Sequence, residues 1–325
     1  MLFRSQAISL RDLPIDPMIA AAVSEMVLAT DRSILQKIDV DSPLTKEASE
    51  MVYKLPNLRD LSVVIERETS LPSASLPNLT QLTIECKNEC DWPRLFHGAT
   101  LGKLESVTFH PESEEIGDFL GAFETVALSS SVQNTLSTFH FYTPFSWNPN
   151  YSSLLRFTRL VDLEIESFCD EECSSRVDDD MIIDLSRAMP KLQVLKLGNE
   201  PCDEPTTGVT AKGLVALALH CPDLSSLRIH FQVSSLSASP AIPENIHNAV
   251  PTGPWTDCAL RKLVVGEILV PEESVLTVAL ALLHIFPQME LIEYINEGWE
   301  KVEDAIQISK HIVYCSSKHY PFTTP

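Results

Sequence analysis

The stretch "ALHCPDLSSLRIH" places His220, Cys221 and His230 within eleven positions. These residue types can ligate a transition metal or act as nucleophile and base. Two C-x-x-x-C pairs, Cys86/Cys90 and Cys169/Cys173, have the spacing of zinc knuckles. Asp162 and Glu164 form an i, i+2 carboxylate pair, which could do acid–base chemistry only in an enclosed pocket that raises one of the two pKa values. Whether any of these groups converge depends on the elements that carry them.

Those elements follow from one recurring phrase. The template Leu-x-x-Leu-x-Leu, with other apolar residues allowed at the three fixed positions, occurs ten times: "LQKIDV" from Leu35, "LRDLSV" from Leu58, "LTQLTI" from Leu79, "LESVTF" from Leu104, "LSTFHF" from Leu136, "LVDLEI" from Leu160, "LQVLKL" from Leu192, "LSSLRI" from Leu224, "LRKLVV" from Leu260 and "MELIEY" from Met289. The starts lie 23, 21, 25, 32, 24, 32, 32, 36 and 29 residues apart, room for one strand and one return segment. Alternation in the second half of each phrase predicts a short strand with every other side chain buried. A proline phrase precedes five of them ("LPNL" twice, "MPKL", "CPDL", "FPQM") and marks the passage from a helix into the strand.

The longer intervals predict helices. Residues 178–190 put Met181, Leu185 and Ala188 on one face; residues 210–222 take Thr210 as N-cap and Leu214, Leu217 and Cys221 as the inward stripe; residues 271–287 form a third from Pro271. The 21–25-residue intervals are expected to return through loops or single helical turns. An opening helix over residues 16–31, with Asp16 as N-cap, caps one end, and residues 297–313 form a closing helix with Trp299, Val302 and Ile306 on its stripe.

The expected fold is therefore α/β: a leucine-rich-repeat solenoid (horseshoe) of about ten repeats, with a parallel concave sheet and helices or loops on the convex side. One domain is expected over 1–325: a helical cap at 1–33, repeats at 34–296 with a Ser/Pro-rich loop insertion at 234–257, and a C-terminal helix and tail at 297–325.

This frame decides the chemistry. The two cysteine pairs fall in the third and sixth repeats, three stacking steps or about 15 Å apart at sheet spacing, so a shared zinc site is not expected. Cys221 ends a buried helical stripe and is expected to be a packing residue. No G-x-S-x-G, H-E-x-x-H, Walker or dinucleotide glycine pattern occurs. No catalytic, cofactor-binding or metal-binding residue is expected, and the chain is not expected to be an enzyme.

Charge excludes further classes. The net charge of −21 opposes phosphate backbones and anionic lipid, so neither nucleic acid nor membrane is expected as a partner. Residues 164–180 hold eight carboxylates against one arginine, a solvated edge or a docking surface for a basic partner. The N-terminus lacks the apolar run of a signal peptide, which places the chain in cytoplasm or nucleus with its eight cysteines reduced. The matches to N-x-S/T at Asn78 and Asn150 are then accidental.

The ten strands resemble leucine-rich repeats over roughly residues 30–296. The segment "DDDMIIDLSRAMPKLQVLKLG" with "GVTAKGLVALALHCPDLSSLRIHF" is more particular: it is similar to the cysteine-containing repeats of F-box leucine-rich-repeat proteins, especially divergent fungal-type ones. That resemblance implies a protein-binding module that recognises the substrate of a cullin-type ubiquitin ligase. "LRDLPIDPMIAAAVSEMVL" has the Leu-Pro opening of an F-box, but the first repeat stands where its helices should follow, so a ligase adaptor is implied only if an F-box is supplied elsewhere. The alternative is an F-box-less scaffold or regulator without a ubiquitin role. Either way the partner is a protein, met by the non-leucine positions of the strands. The residues expected to meet it are His140, Tyr142, Asp162, Glu164, Glu166, Lys196, Arg228 and His230.

Overall fold

The computed structural model describes residues 6–11, 17–65, 75–87, 100–112, 116, 119–129, 131–145, 150–167, 177–199, 208–237, 258–265, 269–294 and 297–319. It is α/β, and the chain divides into two compact units, Met1–Ser174 and Ser175–Pro325.

The first unit is built on seven strands in the order β1 (Ala7–Leu10), β2 (Lys37–Pro43), β3 (Asp60–Ile65), β5 (Gln81–Cys86), β7 (Ser106–Pro111), β8 (Thr138–Thr143) and β9 (Asp162–Ser167), all parallel. From β2 onward each begins two residues after a leading leucine of the repeated phrase. Leu35, Leu58, Leu79, Leu104, Leu136 and Leu160 are all fully buried, and each such side chain contributes about 1.5–3 kcal/mol by leaving water. At the start of the strands a second regularity appears. Two successive N–H groups donate to one carbonyl of the preceding strand's approach: Arg59 and Asp60 to Gln36, Thr80 and Gln81 to Arg59, Glu105 and Ser106 to Thr80. The same pair continues with Ser137 and Thr138 to Glu105, and Val161 and Asp162 to Ser137. These bonds pin the start of each strand to its neighbour and so hold the register.

Several expectations change here. The first 33 residues are not wholly helical: α1 (Pro17–Ala29) lies where expected, but β1 precedes it and pairs with β2. Asp16, the expected cap, lies outside the described residues. The 23-residue interval holds a two-turn helix, α2 (Lys46–Val52), whose cap Thr45 accepts from Ala48 N–H and whose backbone N–H donates to Ser24 of α1. A two-residue pair, β4 (Ser75–Leu76) with β6 (Thr100–Leu101), was not anticipated. Behind β7 and β8 lies an aromatic core. Phe119 and Phe123 of α3 (Phe119–Ser129) meet Phe109 at 4.6 and 5.7 Å, Phe119 meets Phe141 at 4.8 Å, and Phe123 meets Phe139 and Phe157 at 5.6 Å each.

The second unit carries β10 (Val194–Asn199), β11 (Ser226–Ile229), β12 (Lys262–Val264) and β13 (Leu291–Glu293), again parallel and in sequence order. Leu192, Leu224, Leu260 and Met289 lead them and are buried. Its returns are helices: α4 (Asp179–Ala188), α5 (Ala211–His220), α7 (Val275–Ile285) and α8 (Glu297–His319), with the short α6 (Val233–Ser237) after β11. Asp178 caps α4 by accepting from Met181 N–H at 2.9 Å, and Thr210 caps α5 as expected. The buried stripe of α5 contains Leu214, Leu217 and Cys221; that of α4 is Ile182, Leu185 and Met189 rather than Met181 and Ala188, which stay partly exposed. Trp299 and Val302 of α8 are fully buried, with Trp299 edge-on to Phe231 at 6.0 Å. Most of the 234–257 insertion, including Trp255, lies outside the described residues. Among the described residues no helix is long and apolar enough to cross a membrane.

Candidate functional site: a polar cluster on strands β8 and β9

Because strands alternate, burying Phe139 and Phe141 forces His140 and Tyr142 onto the opposite face of β8, and burying Leu163 and Ile165 does the same for Asp162, Glu164 and Glu166 of β9. The parallel register lines these positions into rows across the first unit. One runs Ala7, Lys37, Asp60, Gln81, Ser106, Thr138, Asp162; the next runs Ser9, Asp39, Ser62, Thr83, Thr108, His140, Glu164. Tyr142 is paired with Glu166.

The side chains do not interact straight across. His140 pairs in register with Glu164 but brings Nε2 to 3.2 Å from Asp162 Oδ2, and Tyr142 pairs with Glu166 but donates its hydroxyl to Glu164 Oε2 at 2.5 Å. Both reach one step back along the neighbouring strand, the diagonal that long side chains can span between adjacent strands. His110 of β7 stacks on Tyr142 with centroids 5.2 Å apart, and His140 meets the same ring edge-on at 5.8 Å. The result is an imidazole–phenol–imidazole group against two carboxylates.

Burial and contacts set the protonation of this group. Burial, then the hydrogen bond to Glu164 and the charges of Glu164, Glu166 and Asp162, push the Tyr142 phenol far above its ordinary range, so it stays a donor. Burial pushes His110 below its usual value, against the opposing pull of Glu85. Glu164 is nearly buried, while His140 and Asp162 keep 21% and 28% of their side-chain exposure. Yet His140 Nε2 and Asp162 Oδ1 are themselves shielded from solvent and make no hydrogen bond. Among the described residues, His140, Asp162 and Glu164 each offer a ligand atom within 4.8 Å of the other two. Sequence reading named all three for partner binding without seeing that they converge.

The other expected residues sit in the second unit. Lys196 of β10 pairs with Arg228 of β11 in a row that continues to Val264 and Glu293, and both basic side chains are partly exposed. His230, just past β11, is nearly buried. Arg11 and Ser9 were missed because β1 was: both donate to Asp39, at 2.8 and 3.3 Å, while Lys37 donates to Asp60 at 2.6 Å.

The cysteines divide. Cys221 is fully buried, its thiol directed at the carbonyls of Ser186 and Met189 at 3.7 and 3.6 Å, in agreement with a packing role. Cys258 repeats this one strand later against the carbonyls of Cys221 and Leu224. Cys86 is disulfide-bonded, which corrects the expectation that all eight thiols are reduced; Cys90, Cys169 and Cys173 lie outside the described residues. The carboxamide of Asn78 donates to Pro56 O at 2.8 Å, so this side chain has a structural use. No protein-family model matches the chain, and no curated protein does.

Proposed function

We propose that the chain is a leucine-rich-repeat solenoid that binds a protein through the polar face of its parallel strands, as the substrate-recognition part of a cullin-type ubiquitin ligase. One observation carries the binding reading: the strand face opposite the core presents aligned rows of charged, hydroxyl, imidazole and phenol groups, with Tyr142 and Arg228 as the residue types that dominate binding hot spots. The ligase part rests on the F-box resemblance of the α4–β11 segment. Placement in cytoplasm or nucleus belongs to the same reading, and the Cys86 disulfide counts against it. A second reading, an F-box-less scaffold or regulator, is favoured by β1, which puts a sheet strand directly before the Leu-Pro phrase.

Affinity capture of the chain from cells, with any native N-terminal extension, separates the two. Recovery of a ligase adaptor and a cullin is expected from the first reading, and their absence leaves the scaffold. Arg228→Glu and Lys196→Glu, at partly exposed positions of the second unit, should each abolish capture of the partner so identified in protein whose thermal unfolding shows it folded; unchanged capture in both rules out this face. Glu164 is unsuited to charge reversal because it is nearly buried under Tyr142.

A further inference from the structure

We propose that His140, Asp162 and Glu164 bind a divalent transition-metal ion of the zinc class. The donor set is one imidazole nitrogen and two carboxylate oxygens, all within 4.8 Å of one another. Zinc takes such ligands at about 2.0–2.2 Å, which sets tetrahedral ligand separations near 3.4 Å. The 3.2 Å between His140 Nε2 and Asp162 Oδ2 already meets that, and Glu164 offers a carboxylate oxygen within 4.8 Å of both. The nitrogen ligand disfavours magnesium and calcium, which take oxygen sets.

A second observation points to a ligand at this place. His140 Nε2 and Asp162 Oδ1 are shielded polar atoms without a hydrogen bond, although the histidine nitrogen faces the aspartate carboxylate. Shielded polar atoms of this kind are rare in folded proteins because leaving one unpartnered costs about 1–3 kcal/mol. A cation held by this imidazole and the Asp162 carboxylate would give the histidine nitrogen a partner and neutralise two carboxylates held on one face of one strand. The surroundings suit a metal as well. All three ligands stand on adjacent strands pinned by register, and Tyr142 donates to Glu164, the kind of outer contact that orients a metal-bound carboxylate. Three protein ligands leave a coordination position open to water or to a side chain of a bound protein.

This site does not depend on the protein-binding reading, and its test needs no partner. Zinc chloride is titrated by calorimetry into the full chain after chelator treatment, beside His140→Gln and the triple variant H140Q/D162N/E164Q, with circular dichroism to verify folding. The expected result is one zinc equivalent present in the parent and lost in the triple variant, and at least a tenfold weaker affinity in His140→Gln, which keeps the carboxylates. Because the cysteines are the same in every version, the difference between them isolates this site. Cobalt in place of zinc should give a difference spectrum of nitrogen and oxygen ligation without the thiolate charge-transfer band. Equal stoichiometry and affinity in parent and His140→Gln, or a difference spectrum carrying the thiolate band, would overturn the proposal.

Discussion

The two units join successive strands by different means, although the strands themselves obey one rule. In the second unit the return helices are locked to each other through buried or half-buried polar contacts. Asp179 of α4 accepts from Thr210 N–H at 2.8 Å, Thr210 O–H at 2.7 Å and Gly213 N–H at 2.9 Å, so one carboxylate holds the first turn of α5. Cys221 and Cys258 repeat a single buried contact to the carbonyls of the preceding turn. In the first unit the 21–23-residue spacings leave less room, and the stitching is done on the surface. Asn57 donates to Ser33 O at 2.7 Å and Asn78 to Pro56 O at 2.8 Å, the same position of two "LPNL" phrases reaching back one repeat. Interval length thus biases the kind of tie: the 32-residue return of the second unit carries a helix whose first turn is held by the helix before it, while the 21–23-residue returns of the first unit, the one with α2 included, also tie back through a side chain that satisfies a turn carbonyl.

The comparison breaks most visibly at Asp179. Asp179→Ala removes three accepted bonds, two from the cap Thr210 and one from the first turn of α5, and is expected to cost about 2–4 kcal/mol in denaturant unfolding. Gly213 sharpens the point, because a Cβ there would lie 2.7 Å from Asp179 Oδ1 and 3.1 Å from Val209 Cγ1. Gly213→Ala alone should destabilise by displacing the carboxylate. In the Asp179→Ala background the same change should be at least about 1 kcal/mol cheaper, since the obstructing oxygen is gone and alanine favours the helix. Simple additivity of the two would show that Asp179 does not hold α5.

The parallel strands were legible in the sequence because the template marks alternating apolar positions that suit a buried strand. Each of the ten strands begins two residues after its leading apolar residue. β1 was not legible: "AISL" alternates, but Ser5 stands where the template needs its leading apolar residue. The α4 stripe was misplaced by one position because Met181 and Ile182 fit a helical period equally well, and only packing chooses between them. For the site, alternation was enough to put His140, Tyr142, Asp162 and Glu164 on one face. Their diagonal pairing was not, because it follows from side-chain lean across a register that a pattern of single strands does not contain. The Asn57 and Asn78 ties could have been found: the repeated "PNL" was read for its proline alone.

The buried thiols extend the comparison to pH. Burial, reinforced by the neighbouring Cys258, pushes the Cys221 thiol up to about 12 from an ordinary 9.0, and burial raises Cys258 as well. Above pH 9 the unfolded chain releases this proton while the folded chain keeps it until about pH 12. The folded state then binds more protons, and stability falls as pH rises through that window. Cys221→Ala, which cannot ionise, should therefore lose its disadvantage against the parent by about 2–3 kcal/mol between pH 9 and pH 11, measured as the difference between paired denaturation curves. Titrations common to both proteins cancel in that difference. A gap that stays constant with pH would mean that the thiol is not buried in the fold.

The smallest effect belongs to the surface ties of the first unit. Asn57→Ala and Asn78→Ala each remove one exposed side-chain bond to a turn carbonyl, and each is expected to cost about 0.5–1.5 kcal/mol. Asn78 also accepts from Lys103 at 3.3 Å, so it bridges the return before it and the return after it, whereas among the described residues Asn57 shows only the backward bond. The larger of the two losses should therefore fall at Asn78, and Lys103→Met should remove part of it. Aspartate in place of Asn78 keeps the acceptor for Lys103 but presents a carboxylate to Pro56 O, so Asn78→Asp should be no better than alanine if the backward bond is the one that stabilises. Full stability in Asn78→Asp would instead assign the tie to Lys103 and leave the first unit's short returns held by their apolar phrases alone.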